Sequence, residues 1–111
     1  MTTQNRPHET AIQLPNTPYI DTTLGLKHCN NNRALYFKIL NNFVKRYQHL
    51  DLNKIEDKKR TLHSLKGITA TLGMTTLSEC LMELEHSFNP TVINHFQQDL
   101  VKVVKEIIKQ Q

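Results

Sequence analysis

Helix-breaking residues are concentrated at one end of this chain. Three of its four prolines precede Ile20, and only three glycines occur among its 111 residues. From residue 19 onward the chain is therefore nearly free of breakers and poor in the turn signals that β-hairpins need. An all-α fold is expected, and the length suffices for one domain with a single modest core.

Residues 1–18 differ in composition from the rest of the chain. They are polar, show no apolar periodicity and contain Pro7, Pro15 and Pro18, which is typical of tails and linkers. We therefore predict a polar tail or interdomain linker over residues 1–18 and a folded domain over residues 19–111.

Apolar residues recur at helical spacing through the folded region. Asp21 can cap a short first helix with apolar positions Leu24 and Leu26, which closes around Cys29. The cluster Asn30–Asn32 offers a turn and an N-cap for a second helix. The apolar positions of that helix are Leu35, Tyr36, Ile39, Leu40, Phe43, Val44 and Tyr47.

Three further helices are predicted. The third begins around Asp51–Asn53 and ends at Gly73, a residue type suited to the C′ position. Thr76 and Glu79 form a capping box at the start of the fourth, and Asn89–Pro90 supplies the N-cap and first position of the fifth. Four long amphipathic helices with short loops pack most simply as an up-and-down antiparallel four-helix bundle, and the short N-terminal helix would lie across one end. The apolar positions of the last three helices are Ile55, Leu62, Leu65 and Leu72; Leu77, Cys80 or Leu81, Leu84 and Phe88; and Val92, Ile93, Phe96, Leu100, Val103, Val104, Ile107 and Ile108.

The third helix carries an unusual surface around His63. On a helical wheel its apolar residues share one side, which points His63 to solvent. An exposed histidine is ordinarily only a solvated polar residue, but a neutral imidazole is nucleophilic and can form covalent intermediates. Lys66, one turn on, can offset the roughly two negative charges of a phosphoryl group. The residues on the same side as His63 are Lys59, Arg60, Lys66, Gly67 and Ala70.

Two of these features have competing explanations. Lys59 and Arg60 can contribute charge to a site or simply form a solvated basic face. Gly67, inside a helix, costs about 1 kcal/mol relative to alanine. It can lower the surface, helped by the small Ala70, so that another protein's backbone approaches His63, or another helix of the same chain can pack closely over it.

A set of residues is also spaced as in a known family. The site region contains His63-Ser64-Leu65-Lys66-Gly67, Leu72-Gly73, Leu77 and Leu84-Glu85. Upstream stand Ile20-Asp21, Leu26, Asn30–Asn32, Leu35-Tyr36, Ile39-Leu40 and Phe43. Together they resemble the histidine-containing phosphotransfer (HPt) domains of multistep phosphorelays, over residues 19–111. Leu62 and Ile68 depart from the small residues frequent at their positions, which leaves the choice of partner open.

The resemblance implies a phosphorelay carrier. His63 would accept a phosphoryl group from a receiver-domain phosphoaspartate and pass it to another receiver aspartate. Lys66 would neutralise the group, and Gly67, with Ala70, Lys59 and Arg60 around it, would admit the docking receiver. The chain has no phosphate-binding loop of the P-loop type, so it is expected to be a covalent phosphotransfer intermediate without kinase or ATP-binding activity. It would need no cofactor of its own, since the receiver supplies Mg²⁺.

The expected partners are response-regulator receiver domains, with a hybrid sensor kinase in cis if this is the C-terminal domain of such a kinase. A monomer is expected, located in the cytoplasm or tethered there as the cytoplasmic domain of a membrane sensor kinase. The alternatives are a non-catalytic helical adaptor that binds receivers and a basic nucleic-acid-binding bundle.

Other classes of function fit the residues less well. The net charge of +4 would permit nucleic-acid binding, but the cations alternate with Asp51, Glu56 and Asp57, so no nucleic acid is expected as a partner. No apolar run approaches the length that spans a bilayer, and no direct membrane contact is expected. The six histidines are too scattered for a metal site. Cys29 and Cys80 are expected to be reduced packing thiols.

Overall fold

A computed structural model describes residues 19–109, and every regular element within that range is helical. The predicted tail, residues 1–18, lies outside the described residues. The elements are α1 (Thr22–His28), α2 (Arg33–Tyr47), a 3₁₀ turn (Leu52–Lys54), α3 (Lys58–Leu72), α4 (Thr75–His86) and α5 (Pro90–Lys109). The all-α prediction is confirmed.

Side-chain caps fix the starts of several helices where the sequence places them. The Asp21 carboxylate accepts a hydrogen bond of 3.0 Å from Leu24 N at the start of α1. Asn32 accepts one of 3.0 Å from Leu35 N at the start of α2. Asn89 accepts one of 2.7 Å from Thr91 N, with proline at the first position of α5. These bonds satisfy backbone N–H groups that the first turn of a helix leaves unpaired.

The four long helices form a closed bundle in which neighbours run antiparallel. In cross-section the order around the bundle is α2, α3, α4 and α5, with α5 returning to α2. The start of α2 lies beside the end of α3, where the Tyr36 hydroxyl donates a 2.7 Å hydrogen bond to Leu72 O. The early part of α5 lies beside the end of α2, where the Gln97 side chain donates a hydrogen bond to Leu50 O and accepts one from Leu52 N. The predicted up-and-down four-helix bundle is therefore correct.

Helix α1 packs across the end of the bundle at which α3 finishes. Asp21 N donates a 2.7 Å hydrogen bond to Gly73 O, and the His28 Nδ1 atom lies 2.9 Å from Thr71 O. The buried side of α1 is formed by Thr22, Gly25 and Cys29 rather than by the predicted Leu24 and Leu26, which are only half-buried. Gly25 allows this close approach: an added Cβ would lie 2.6 Å from Leu72 O.

The predicted start of the third helix is wrong. Asp51 caps a 3₁₀ turn instead, accepting a 2.9 Å hydrogen bond from Asn53 N. A break follows, and Asp57 accepts from Arg60 N to begin α3 at Lys58. Each of the two aspartates thus caps its own element. Because Leu52 is buried, the 3₁₀ turn forms as a separate element before α3.

The predicted capping box at Thr76 and Glu79 is also wrong. Helix α4 begins at Thr75, its N-cap is Met74, and no side chain caps it. Gly73 adopts a left-handed conformation with φ of 80° and ends α3 so tightly that the buried Met74 leads straight into α4. Thr76 therefore falls inside the helix. On α2 the predicted apolar position Leu35 is 42% exposed, because Tyr36 and Leu40 occupy the core side.

Candidate functional site

His63 lies near the middle of α3 on the side opposite the core. Leu62, Leu65, Thr69 and Leu72 are buried against the other helices, so the helical repeat turns His63 outward. Its side chain is 77% exposed. The structure therefore agrees with the position that the helical wheel predicts, while the role of His63 as acceptor stays a prediction.

Lys66 and His63 converge on a carboxylate from the next helix. Lys66 Nζ donates a 2.6 Å hydrogen bond to Glu85 Oε1, and His63 Nδ1 lies 3.8 Å from the other oxygen, Oε2. The side chains of Lys66 and Glu85 are 33% and 29% exposed, so this ion pair is partly shielded by the α3–α4 contact. The result is a triad in which one carboxylate faces both an amine and an imidazole.

The charge environment of Glu85 is cationic. The hydrogen bond from Lys66 is the main reason that the pKa of the Glu85 carboxyl falls below its usual range, and partial desolvation opposes this shift. The charges of Lys66 and His63 lower the pKa further. Glu85 is therefore ionised at neutral pH.

Glu85 was not among the predicted site residues. It belongs to the Leu84-Glu85 pair that carries the family resemblance, but it lies 19 residues after Lys66 on a different helix. Helical periodicity relates residues of one helix only, so the contact depends on how α3 and α4 are paired. The Leu84-Glu85 pair was the one signal in the sequence that pointed to this position.

Gly67 is open to solvent. A Cβ built at this position would have no atom of another part of the described chain within 4 Å. The explanation that another helix packs closely over Gly67 is therefore wrong for this structure. Ala70, one turn further, is also exposed, so the surface beside His63 is low along nearly two turns of α3.

Two shallow apolar depressions border this low surface, between α2 and α3. The first, of about 150 Å³, is lined by Gly67, Thr71 and Leu72. The second, of about 130 Å³, lies beside Phe43 and Arg46. Ile39 and Ile68 line both. Ile68, the departure from the family pattern, thus contributes an apolar side chain to the surface next to Gly67.

The other flank of His63, between α3 and α4, carries two lysines. Lys59 is exposed there on the first turn of α3, whereas Arg60, also exposed, lies on the same side of His63 as Gly67. Lys59 lines a groove of about 340 Å³ together with Lys58 and Phe88. Lys58 Nζ lies 5.0 Å from the centre of the Phe88 ring, a cation–π distance. Sequence reasoning did not single out Lys58, because its aromatic partner comes from the loop after α4.

The other histidine, cysteine and acidic side chains show no metal-binding arrangement in the described part of the chain. Within residues 19–109, no cluster of three or more histidine, cysteine, aspartate or glutamate side chains could hold a metal ion. Cys29 is buried and Cys80 half-buried, and both are free thiols. None of the helices in this part of the chain is both long and apolar enough to cross a membrane.

An exposed histidine at mid-helix, with a lysine and an open glycine within the next turn, is the arrangement that the resemblance to histidine phosphotransfer domains implies. The comparison with protein families agrees: the model of the Hpt domain matches residues 38–109. The chain belongs to the Hpt domain family, and the match covers most of α2 and all of α3, α4 and α5. No curated protein and no solved structure gives a match.

Family membership gives the general role of the domain. Hpt domains carry phosphoryl groups on histidine in phosphorelay signalling, and they typically interact with the receiver domains of response regulators.

Proposed function

We propose that His63 is the residue that carries the phosphoryl group, taking it from the phosphoaspartate of one receiver domain and passing it to the aspartate of another. The observation that carries this proposal is the position of His63. Its side chain is 77% exposed, and it stands beside a lysine and an open glycine on one side of α3. A nucleophile that must enter another protein's active site has to project from the surface in this way.

The position of Glu85 favours Nε2 as the reacting nitrogen. Nδ1 faces the Glu85 carboxylate at 3.8 Å, and a nearby anion favours the tautomer with its proton on Nδ1. The lone pair of neutral His63 then lies on Nε2. As Nε2 forms the N–P bond, the P–O bond to the receiver aspartate breaks, and its electron pair stays on the aspartate carboxylate. The reverse step returns the phosphoryl group to a second receiver.

Lys66, one turn after His63 on α3, supplies positive charge next to the phosphoryl group. A phosphoryl group brings about two negative charges, and Lys66 Nζ can turn toward it by leaving Glu85, since the amine sits on a flexible four-carbon stem. Mg²⁺ and most of the charge stabilisation in the transfer step would come from the receiver. The domain would need neither ATP nor a cofactor of its own.

The docking surface for the receiver is expected to extend across both flanks of His63. Gly67 and Ala70 would admit the receiver's backbone, and the apolar pair Ile39 and Ile68 would bury surface on one side. Lys59 on the other side, and Arg60 on the side of Gly67, would face the receiver's acidic active site and speed association electrostatically. We expect the domain to act as a monomer on the cytoplasmic side of the membrane, either alone or in cis with a hybrid sensor kinase.

A phosphotransfer assay tests this function. The chain is incubated with a radiolabelled phosphoreceiver and Mg²⁺, and we expect an acid-labile label to move onto it. His63→Gln should abolish labelling, whereas His95→Gln, a matched change of an exposed histidine on α5, the helix diagonal to α3, should leave it intact. Failure of every receiver of the source cell to label the wild-type chain, or labelling that survives His63→Gln, would overturn the proposal. Receiver binding without labelling would identify an adaptor instead.

A further inference from the structure

Glu85 is placed to affect the phosphoryl group itself, in addition to the histidine. Its two oxygens are divided between the two groups that act in transfer: Oε1 accepts the Lys66 hydrogen bond at 2.6 Å, and Oε2 faces His63 Nδ1 at 3.8 Å. The carboxylate is partly exposed and plays no part in the core. A phosphoryl group on His63 would therefore arrive next to an anion that already holds the lysine.

We infer that Glu85 weakens the phosphorylated state of His63 and so keeps the phosphoryl group transferable. This inference rests on the proposed role of His63 as the acceptor. In the resting domain Lys66 is paired with Glu85, and the phosphorylated domain must divide one lysine between two anions. Glu85 is thus a positioning and tuning residue, acting through charge rather than by contact with the reacting atoms.

The sign of the effect follows from the charge that transfer adds. Transfer moves a PO₃⁻ unit onto neutral His63. If the Nδ1 proton leaves to solvent, the site gains two negative charges on the phosphoryl group, and both repel the Glu85 carboxylate. If the proton stays, the ring becomes cationic, and its attraction to Glu85 across 3.8 Å offsets much of the repulsion from the two phosphoryl charges. In both forms the net effect is repulsion, and Glu85 also competes with the phosphoryl group for Lys66. A carrier with this repulsion gives up its phosphoryl group more readily than one without it.

The size of the effect can be estimated from Coulomb's law in water. Two phosphoryl charges at about 6 Å from the carboxylate shift the equilibrium by roughly tenfold, and a cationic ring reduces this shift to roughly twofold. The partial shielding of the α3–α4 contact increases this factor, and salt decreases it. The equilibrium between phosphoreceiver and phosphorylated domain is therefore expected to respond to the charge of Glu85.

The matched variants are Glu85→Gln and Glu83→Gln. Both remove one negative charge from α4, but Glu83 points toward a different surface, beside Met82 and His86. Each variant is mixed with one phosphoreceiver and Mg²⁺, and the ratio of phosphorylated domain to phosphoreceiver is measured after equilibrium is reached from both directions. Circular dichroism verifies that each variant is folded.

We expect Glu85→Gln to raise this ratio two- to tenfold, to slow onward transfer to a second receiver, and to lose most of the difference at high salt. Glu83→Gln should leave the ratio at the wild-type value. An unchanged or lowered ratio in folded Glu85→Gln, or an equal rise in Glu83→Gln, would overturn the inference while leaving the proposed function standing. Absence of phosphorylation in the wild-type chain would instead overturn the proposed function.

Discussion

Replacing Gly67 with alanine should make the protein more stable and a poorer phosphoryl carrier. Gly67 lies inside α3, with five residues of the helix still to follow it before Gly73. An added Cβ would meet no atom of another element within 4 Å. The backbone of Gly67 is helical and not left-handed, so alanine fits without strain.

The magnitude follows from helix propensity alone, because the structure offers nothing for the methyl group to strike. Alanine should stabilise the fold by about 1 kcal/mol, which corresponds to a rise in Tm of about 4–8 °C for a domain of this size. In the receiver complex the same methyl group would stand between two surfaces. Overpacking of this kind costs about 1–3 kcal/mol, so the transfer rate should fall by about fivefold or more.

Two assays measure the opposing effects. Urea or thermal unfolding followed by circular dichroism gives the change in stability, and kcat/KM for transfer from a phosphoreceiver gives the change in function. Asn94→Ala is the matched control, because Asn94 is exposed on α5, the helix diagonal to α3. This variant should gain stability without losing transfer.

Gly25→Ala provides the opposite case. There the new Cβ would lie 2.6 Å from Leu72 O and would also strike the Tyr36 ring, so the fold should lose stability. The reasoning would be refuted if Gly67→Ala destabilised the domain, which would mean that something covers Gly67. A stabilised Gly67→Ala variant that transferred at the wild-type rate would refute the claim that this position admits the receiver.

Three further predictions concern Lys66, Ile68 and Tyr36. Lys66→Gln should reduce the fraction of phosphorylated domain at equilibrium with a phosphoreceiver, and Lys66→Arg should restore part of it; an undiminished fraction in Lys66→Gln would contradict the neutralising role. Ile68→Asp, at the half-buried apolar border of Gly67, should raise the KM for a receiver several-fold while leaving the intrinsic hydrolysis of phosphohistidine unchanged, and an unchanged KM would exclude this flank from docking. Burial raises the pKa of Tyr36 to about 12, so the stability linked to its neutral form is complete below about pH 10 and is lost as pH rises to 12, by about 3 kcal/mol. Tyr36→Phe should remove this alkaline loss in urea titrations, and an identical slope in the variant would contradict it.

The fold was predictable where local chemistry and long-range packing agree. Asp21, Asn32 and Asn89 cap their helices because their short side chains reach the first free N–H groups in any context. The order of the helices followed from uninterrupted apolar periodicity and short loops. Gly73 ends α3 in the left-handed conformation that favours glycine.

The errors occurred where packing decided between local alternatives. Thr76 has the residues of a capping box, but the tight Gly73 turn and the buried Met74 start α4 two residues earlier than that box allows. Leu35 has helical spacing with its neighbours, yet Tyr36 takes the core position through its bond to Leu72 O. Such choices depend on contacts between segments that are distant in sequence.

The candidate site divides in the same way. The outward direction of His63 and its neighbours on α3 follow from one helix and were predictable from the wheel. The openness of Gly67 was not, since spacing alone fits both a covered and an uncovered glycine. The contact of Glu85 with Lys66 and His63 requires the pairing of α3 with α4, which no pattern within α3 could specify.

Nitrogen-15 NMR of the imidazoles, recorded after phosphotransfer from a receiver with Mg²⁺, would identify both the residue and the atom that carry the phosphoryl group. The geometry predicts a single phosphorylated imidazole, that of His63, with the N–P bond on Nε2 and the Nδ1 side still facing Glu85. A phosphoryl group on any other residue, on Nδ1 of His63, or on no histidine at all would contradict the proposed mechanism.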